Sequence, residues 1–137
     1  MEGFSGEMQV VTLGKGLVKL ADLDGSVDAL MEDKSTIKVA GKPLGYGDAI
    51  KIIIHSEDDK GKDINIICSP TQIFKLINGY ECEAKDLQGE RLMSIGVNKV
   101  YCTKVMPLHM FIPLYKVTKA EVTGRDFVYI NGIRVKI

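Results

Sequence analysis

The feature that most constrains this chain is its punctuation. Runs of six or seven residues rich in Val, Ile, Thr and Tyr alternate with Gly, Asp and Asn. The runs are "MQVVTL" (8–13), "STIKVAG" (35–41), "AIKIIIH" (49–55), "DINIICS" (63–69), "KVYCTKV" (99–105) and "DFVYING" (126–132). Between them stand "LGKG", "DLDG", "SEDDKGKD" and "INGY". β-branched and aromatic side chains suit a pleated, half-buried surface, and Gly, Asn and Asp supply the backbone angles of tight turns. Several runs alternate with period two, as where Ile50, Ile52 and Ile54 oppose Lys51, Ile53 and His55. The expectation is an all-β fold of six to twelve short strands. "VDALMEDK" and "TQIFKLI" could each form one or two helical turns, too short to stand as isolated helices. No Ser/Pro/Gly-rich linker or fixed-period repeat divides the 137 residues, so a single domain over 1–137 is expected.

Composition excludes several functions. The 18 basic and 18 acidic residues cancel without a long single-sign run, so no nucleic-acid partner is expected. The apolar runs fall far below the ~20 residues of a spanning helix, so no membrane partner is expected. The start of the chain lacks the basic and apolar regions of a signal peptide. Cys68, Cys82 and Cys102 are an odd set without CxxC spacing, which argues against a disulfide framework and a zinc site. These features suggest a cytoplasmic protein with reduced thiols.

Candidate chemistry is sparse. "LGKGLVK" lacks the GxxxxGK[ST] spacing of a phosphate-cradling loop and reads as a strand turn. His55 and His109 have no second ligand at metal spacing and no evident nucleophile partner. Glu57, Asp58, Asp59 and Asp63 lie on a polar hairpin, which lacks the burial that tunes a carboxylate for acid–base work. No metal or cofactor is therefore expected.

Three stretches in order carry a resemblance. "GFSGEMQVVTLGKGLVKLADL" (3–23) has a strand at Val10, Val11 and Thr12, a Gly turn, and an apolar stretch at Leu20, Asp22 and Leu23. "INIICSPTQIFKLINGYECEAKDLQGERLM" (64–93) has a strand, a turn, and then an "A-x-x-L" stretch. "DFVYINGIRVKI" has an Asn-Gly turn and a closing strand. Together they resemble the Hint family of inteins, hedgehog autoprocessing modules and intein-like domains.

The resemblance implies a compact, horseshoe-like β fold with pseudo-two-fold symmetry and its two ends brought together. Gly3, Gln72 and Ile137 should then approach one another. In active family members a first-residue thiol or hydroxyl attacks the preceding carbonyl, a middle-motif His assists, and a final Asn cyclises. Carried over position by position, the nucleophile falls on Gly3, the middle-motif Thr on Ser69 and its His on Gln72. The His before the last strand falls on Asp126, the penultimate His on Lys136 and the terminal Asn on Ile137. Glycine offers no nucleophile, and an amide cannot accept and return a proton near neutral pH. Ser5 and Cys68 are the alternative nucleophiles, neither with a base visible in the sequence.

The expectation is a non-catalytic intein-like domain that acts as a structural or protein-binding module, for instance in a viral or phage particle. The alternative is an intein or autoprocessing domain that splices or cleaves itself with atypical residues. "MPLHMFIPLYKV" (106–117) offers Met106, His109, Met110 and Phe111 as an interface with other proteins. Its other reading is a core strand pair interrupted by Pro107 and Pro113.

Overall fold

The computed structural model describes residues 2–56, 63–96 and 99–137. The loop carboxylates Glu57, Asp58 and Asp59 lie outside the described residues. Twelve strands are described: β1 (Phe4–Ser5), β2 (Gln9–Thr12), β3 (Gly16–Lys19), β4 (Ser26–Leu30), β5 (Thr36–Ser56), β6 (Ile64–Cys68), β7 (Ile73–Lys75), β8 (Glu81–Glu83), β9 (Arg91–Met93), β10 (Lys99–Lys119), β11 (Phe127–Ile130) and β12 (Ile133–Lys136). One sheet runs β3-β2-β4-β5-β6-β1-β10-β9, with β5 also paired to β10. The second runs β11-β12-β7-β8.

Two expectations are corrected. "STIKVAG" and "AIKIIIH" are not separate strands but the two ends of β5, which runs through the intervening "GKPLGYGD". Antiparallel pairing with β10 along its length, from Ser56↔Val100 to Val39↔Lys119, holds this Gly- and Pro-rich stretch extended. The two possible helical segments each contribute a strand instead. In β4, Val27 and Ala29 are buried between Ser26, Asp28 and Leu30, a period of two that suits the ladder against β5. "TQIFKLI" contains β7, paired with β8 and β12. Among the described residues the only helices are two short 3-10 turns, Leu20–Asp22 and Ala84–Asp86.

The core lies between the sheets. Ile37, Ile52, Ile54 and Ile66 turn inward from the large sheet and meet Phe74, Val128, Ile130 and Val135 from the small one. Phe4 packs edge-on against Phe74 across the junction, with ring centroids 6.2 Å apart. Complete burial of each such side chain contributes about 1.5–3 kcal/mol. Asn131 clamps the far side. At φ 50° it turns the β11–β12 hairpin, its Oδ1 accepts from Gln9 N at 2.8 Å, and its Nδ2 donates to Asn65 O at 2.9 Å.

The pseudo-two-fold symmetry is written in backbone hydrogen bonds. Met8 N donates to Ser5 O, and Gln72 N to Ser69 O, both at 3.1 Å. Leu20 N reaches Met8 O, and Ala84 N reaches Gln72 O, both at 2.8 Å. Ala21 N reaches Gly6 O, and Lys85 N reaches Pro70 O, both at 3.0 Å. Each half is thus a turn, a hairpin and a 3-10 turn whose amides dock on the opening turn. At matching positions Ser5 and Ser69 agree, as do Asp22, Leu23 and Gly25 with Asp86, Leu87 and Gly89, while most other side chains differ, so the repeat is faint in the sequence.

Candidate functional site

The two ends of the chain meet where β1 enters the centre of the large sheet. Phe4 pairs with Cys68 of β6 on one side and Tyr115 of β10 on the other. Gly3 O accepts from Ser69 N at 2.9 Å, which ties the first position of the resemblance to its middle motif. Gln72 is only 4% exposed and faces the closing strand. Its Nε2 donates to Ile73 O at 3.1 Å and Lys136 O at 3.4 Å. Both partners are carbonyl acceptors, which fixes the orientation of the amide. Gln72, Lys136 and Ile137 line one cleft of about 260 Å³ together with Glu2, Phe4 and Lys116. Ser69, the hydrogen-bond partner of Gly3, borders a different hollow.

Gly3 is confined by its backbone and its surroundings. Its φ of +148° lies where side-chain-bearing residues are strained. A Cβ there would stand 3.0 Å from Leu44 Cδ1, 3.2 Å from Tyr115 O and 3.3 Å from Leu114 Cβ. Leu44 can rotate away, but Tyr115 O belongs to the β1–β10 ladder. A side chain there would carry backbone strain and would require Tyr115 O and Leu114 to give by a few tenths of an ångström.

Ser69 and Gln72 are built into a turn. Ser69 Oγ accepts from Thr71 N at 3.3 Å and lies 3.1 Å from Thr71 Oγ1. Asp126 and Lys136 belong to a charge network that the sequence did not suggest. Lys75 Nζ lies 2.8 Å from Asp126 and 3.2 Å from Glu81, and Lys136 Nζ lies 3.0 Å from Glu81. The hydrogen bond from Lys75 holds the Asp126 carboxyl below its ordinary range. Lys136 and then Lys75 do the same for Glu81, while Asp126 raises the Lys75 ammonium. The signal was present as Lys75 and Glu81 on adjacent strands, but only the β7–β8 register makes them partners.

The other candidates lie elsewhere. Cys68 is fully buried, and burial pushes its thiol far above the usual range, which suppresses the nucleophilic thiolate. Cys102 is pushed up to about 11 by the same effect. Ser5 Oγ accepts from Glu7 N at 3.3 Å in the symmetry-related turn. His55 Nδ1 lies 2.7 Å from Asp63 Oδ1 and packs edge-on to Tyr101; it does not line the cleft. His109 is exposed at φ 53°. Met106 is half-buried, whereas Met110 and Phe111 are 53% and 68% exposed, so the core reading does not hold for these two. Among the described residues, no group of three or more His, Cys, Asp or Glu is placed to hold a metal ion. No helix among them is long and apolar enough to cross a membrane.

No protein-family model and no curated protein matches the sequence. Solved structures do. The gp41-1 intein crystal structure matches with a TM-score of 0.74 at 21% identity, covering 100% of this chain and 99% of that one. A DnaB intein from Synechocystis sp. PCC 6803 matches with a TM-score of 0.73 at 15% identity, covering 99% and 98%. The MchDnaB-1 intein matches with a TM-score of 0.75 at 12% identity, covering 98% and 99%. At such identities the likeness is one of fold, and the fold is the intein-like Hint fold over the full chain.

Proposed function

We propose that this Hint-fold domain neither splices nor cleaves itself and serves as a structural, protein-binding module. The observation that carries the reading is the backbone of Gly3. At φ +148°, with Tyr115 O 3.2 Å from the position of a Cβ, the site that would hold a nucleophile is strained and crowded by the ladder of the sheet. Three further features support it. Gln72 spends its amide protons on two backbone carbonyls, Lys136 is held by Glu81, and Ile137 has no amide to cyclise. The self-processing alternative would need Ser5 or Cys68 as nucleophile. The first accepts a hydrogen bond within its own turn and the second is sealed in the core. On the same reading the partner is another protein within a larger assembly, a viral or phage particle among the candidates, and the domain works in the cytoplasm or in that particle.

The test places the domain between two reporter proteins and weighs the product by mass spectrometry. A single unprocessed fusion is expected. Ligated or cleaved product that disappears on changing Ser5 or Cys68 would overturn the reading.

A further inference from the structure

The cleft at the meeting of β1, β7, β10 and β12 holds charges that its own walls do not balance. Lys116 of β10 stands directly opposite Lys42 of β5. Like charges directly opposite one another destabilise a sheet. Neither ammonium has an ion-pair partner among the described residues, whereas Lys136 is held by Glu81 at 3.0 Å. Lys116 lines the cleft, and so does Glu2, an exposed carboxylate likewise unpaired among the described residues. Two charges of opposite sign therefore border one hollow of about 260 Å³ without forming an ion pair with each other.

A buried amide adds a third polar group. Gln72 is only 4% exposed, and both protons of its Nε2 go to Ile73 O and Lys136 O. Its Oε1 accepts no hydrogen bond from the described residues, yet it is not among the unpartnered polar atoms sealed from solvent. The cleft that Gln72 lines is thus offered a fixed acceptor. An acceptor oriented by two backbone carbonyls is prepared for a donor before any ligand arrives.

Charge and hydrogen-bonding sense together select the ligand. A phosphate would meet Lys116, but also the Glu2 carboxylate and the Gln72 oxygen, neither of which can donate. A simple cation would meet Glu2, but also Lys116 with Lys42 beside it. A ligand carrying both a carboxylate and an ammonium satisfies the two sides at once. Its carboxylate faces Lys116, and its ammonium faces Glu2 and Gln72 Oε1. Phe4, Ile73, Val117 and Ile137 supply the apolar part of the lining, which suits an aliphatic side chain. The volume falls below the ~300–1,000 Å³ typical of drug-sized ligands, so the occupant is small.

We infer that this cleft is a binding site for a free α-amino acid with an aliphatic side chain. The site goes beyond the reading of the domain as a contact module and does not depend on it. The probe is L-leucine, titrated calorimetrically into the full chain. Alongside it run 4-methylpentanoate, which lacks the ammonium, 3-methylbutylamine, which lacks the carboxylate, and inorganic phosphate. L-leucine should bind, and each singly charged analogue should bind about ten-fold or more weakly. Lys116→Gln and Glu2→Gln, both at exposed positions, should each weaken L-leucine by about ten-fold or more with an unchanged circular dichroism spectrum. Lys15→Gln, in the exposed turn between β2 and β3, should leave binding unchanged. No binding of L-leucine, equal or tighter binding of phosphate or of either analogue, or indifference to both cleft variants would overturn the site. Tighter binding of L-leucylglycine than of L-leucine would make the occupant the first residue of a peptide and overturn the assignment to a free amino acid. Processed product in the reporter fusion with L-leucine binding intact would defeat only the contact-module reading.

Discussion

Two glycines with positive φ show how much a single residue's surroundings decide. Gly79 has φ +89° and open space around it, so Gly79→Ala should destabilise mainly through the backbone, by about 1 kcal/mol. Gly3 has the backbone restriction and a carbonyl of the central sheet in the way. Gly3→Ser should therefore be the more damaging, by about 1–3 kcal/mol, read as the shift in urea midpoint at constant slope. It should restore no cleavage. Phe74 and Phe111 make a second contrast. Phe74→Ala removes a buried ring at the junction of the sheets and should lose about 3–5 kcal/mol. Phe111→Asp places a charge at a site already facing water, and its stability should stay within about 0.5 kcal/mol of the parent. A large loss in Phe111→Asp would return that side chain to the core.

Between elements, the network of Lys75, Glu81, Asp126 and Lys136 ties β7, β8 and β12 to the residue that precedes β11. Glu81 and Asp126 are held below their ordinary values of 4.5 and 3.8. The folded state therefore binds their protons less readily than the unfolded chain does. Their contribution is full above those values and is lost as the pH falls through the lower folded-state ones. Lys75, raised by Asp126, contributes fully below its ordinary value of 10.5 and loses that contribution only as the solution becomes more alkaline than its raised value. Most of these groups are well exposed, so the effect should be modest and screened by salt. Melting temperature followed from about pH 7 to about pH 3 should fall less steeply in Glu81→Gln than in the parent, and the difference should shrink in about 1 M salt. Equal slopes at low salt would show that the network contributes nothing measurable.

For the molecule as a whole, the pairings are mostly distant in sequence. β1 is completed by Tyr115 and Leu114 of β10, and β7 by Val135 of β12. The entropy of closing such loops must be met before the central contacts form, which places folding in the slow, millisecond-to-second range of all-β domains. Stopped-flow refolding from urea should recover the full amplitude in observable phases, and amplitude lost within the mixing dead time would contradict this. Since β1 inserts between β6 and β10, deleting residues 1–7 should expose the sheet interior and abolish cooperative unfolding.

The β class was legible because strand propensity and turn chemistry are local properties, carried by residues such as Ile50, Ile52, Ile54 and the Asn131–Gly132 turn. The order of the three motifs added the Hint fold, and with it the expectation that Gly3, Gln72 and Ile137 converge. That Gly3, Gln72 and Ile137 stand where the resemblance implies a nucleophile, an imidazole and an amide could be read at single positions. Where the chain had to be held by a distant partner, local signals misled. "STIKVAG" and "AIKIIIH" read as separate strands, yet β10 holds them as one, and β4 is strand because β5 and β2 supply its ladders. The crowding of Gly3, the ion pairs of Asp126 and Lys136, and the cleft shared by Glu2, Gln72 and Lys116 depend on atoms far apart in sequence. Propensity resides in the residue, but clash, charge pairing and concavity reside in pairs, and only the tertiary structure decides which pairs exist.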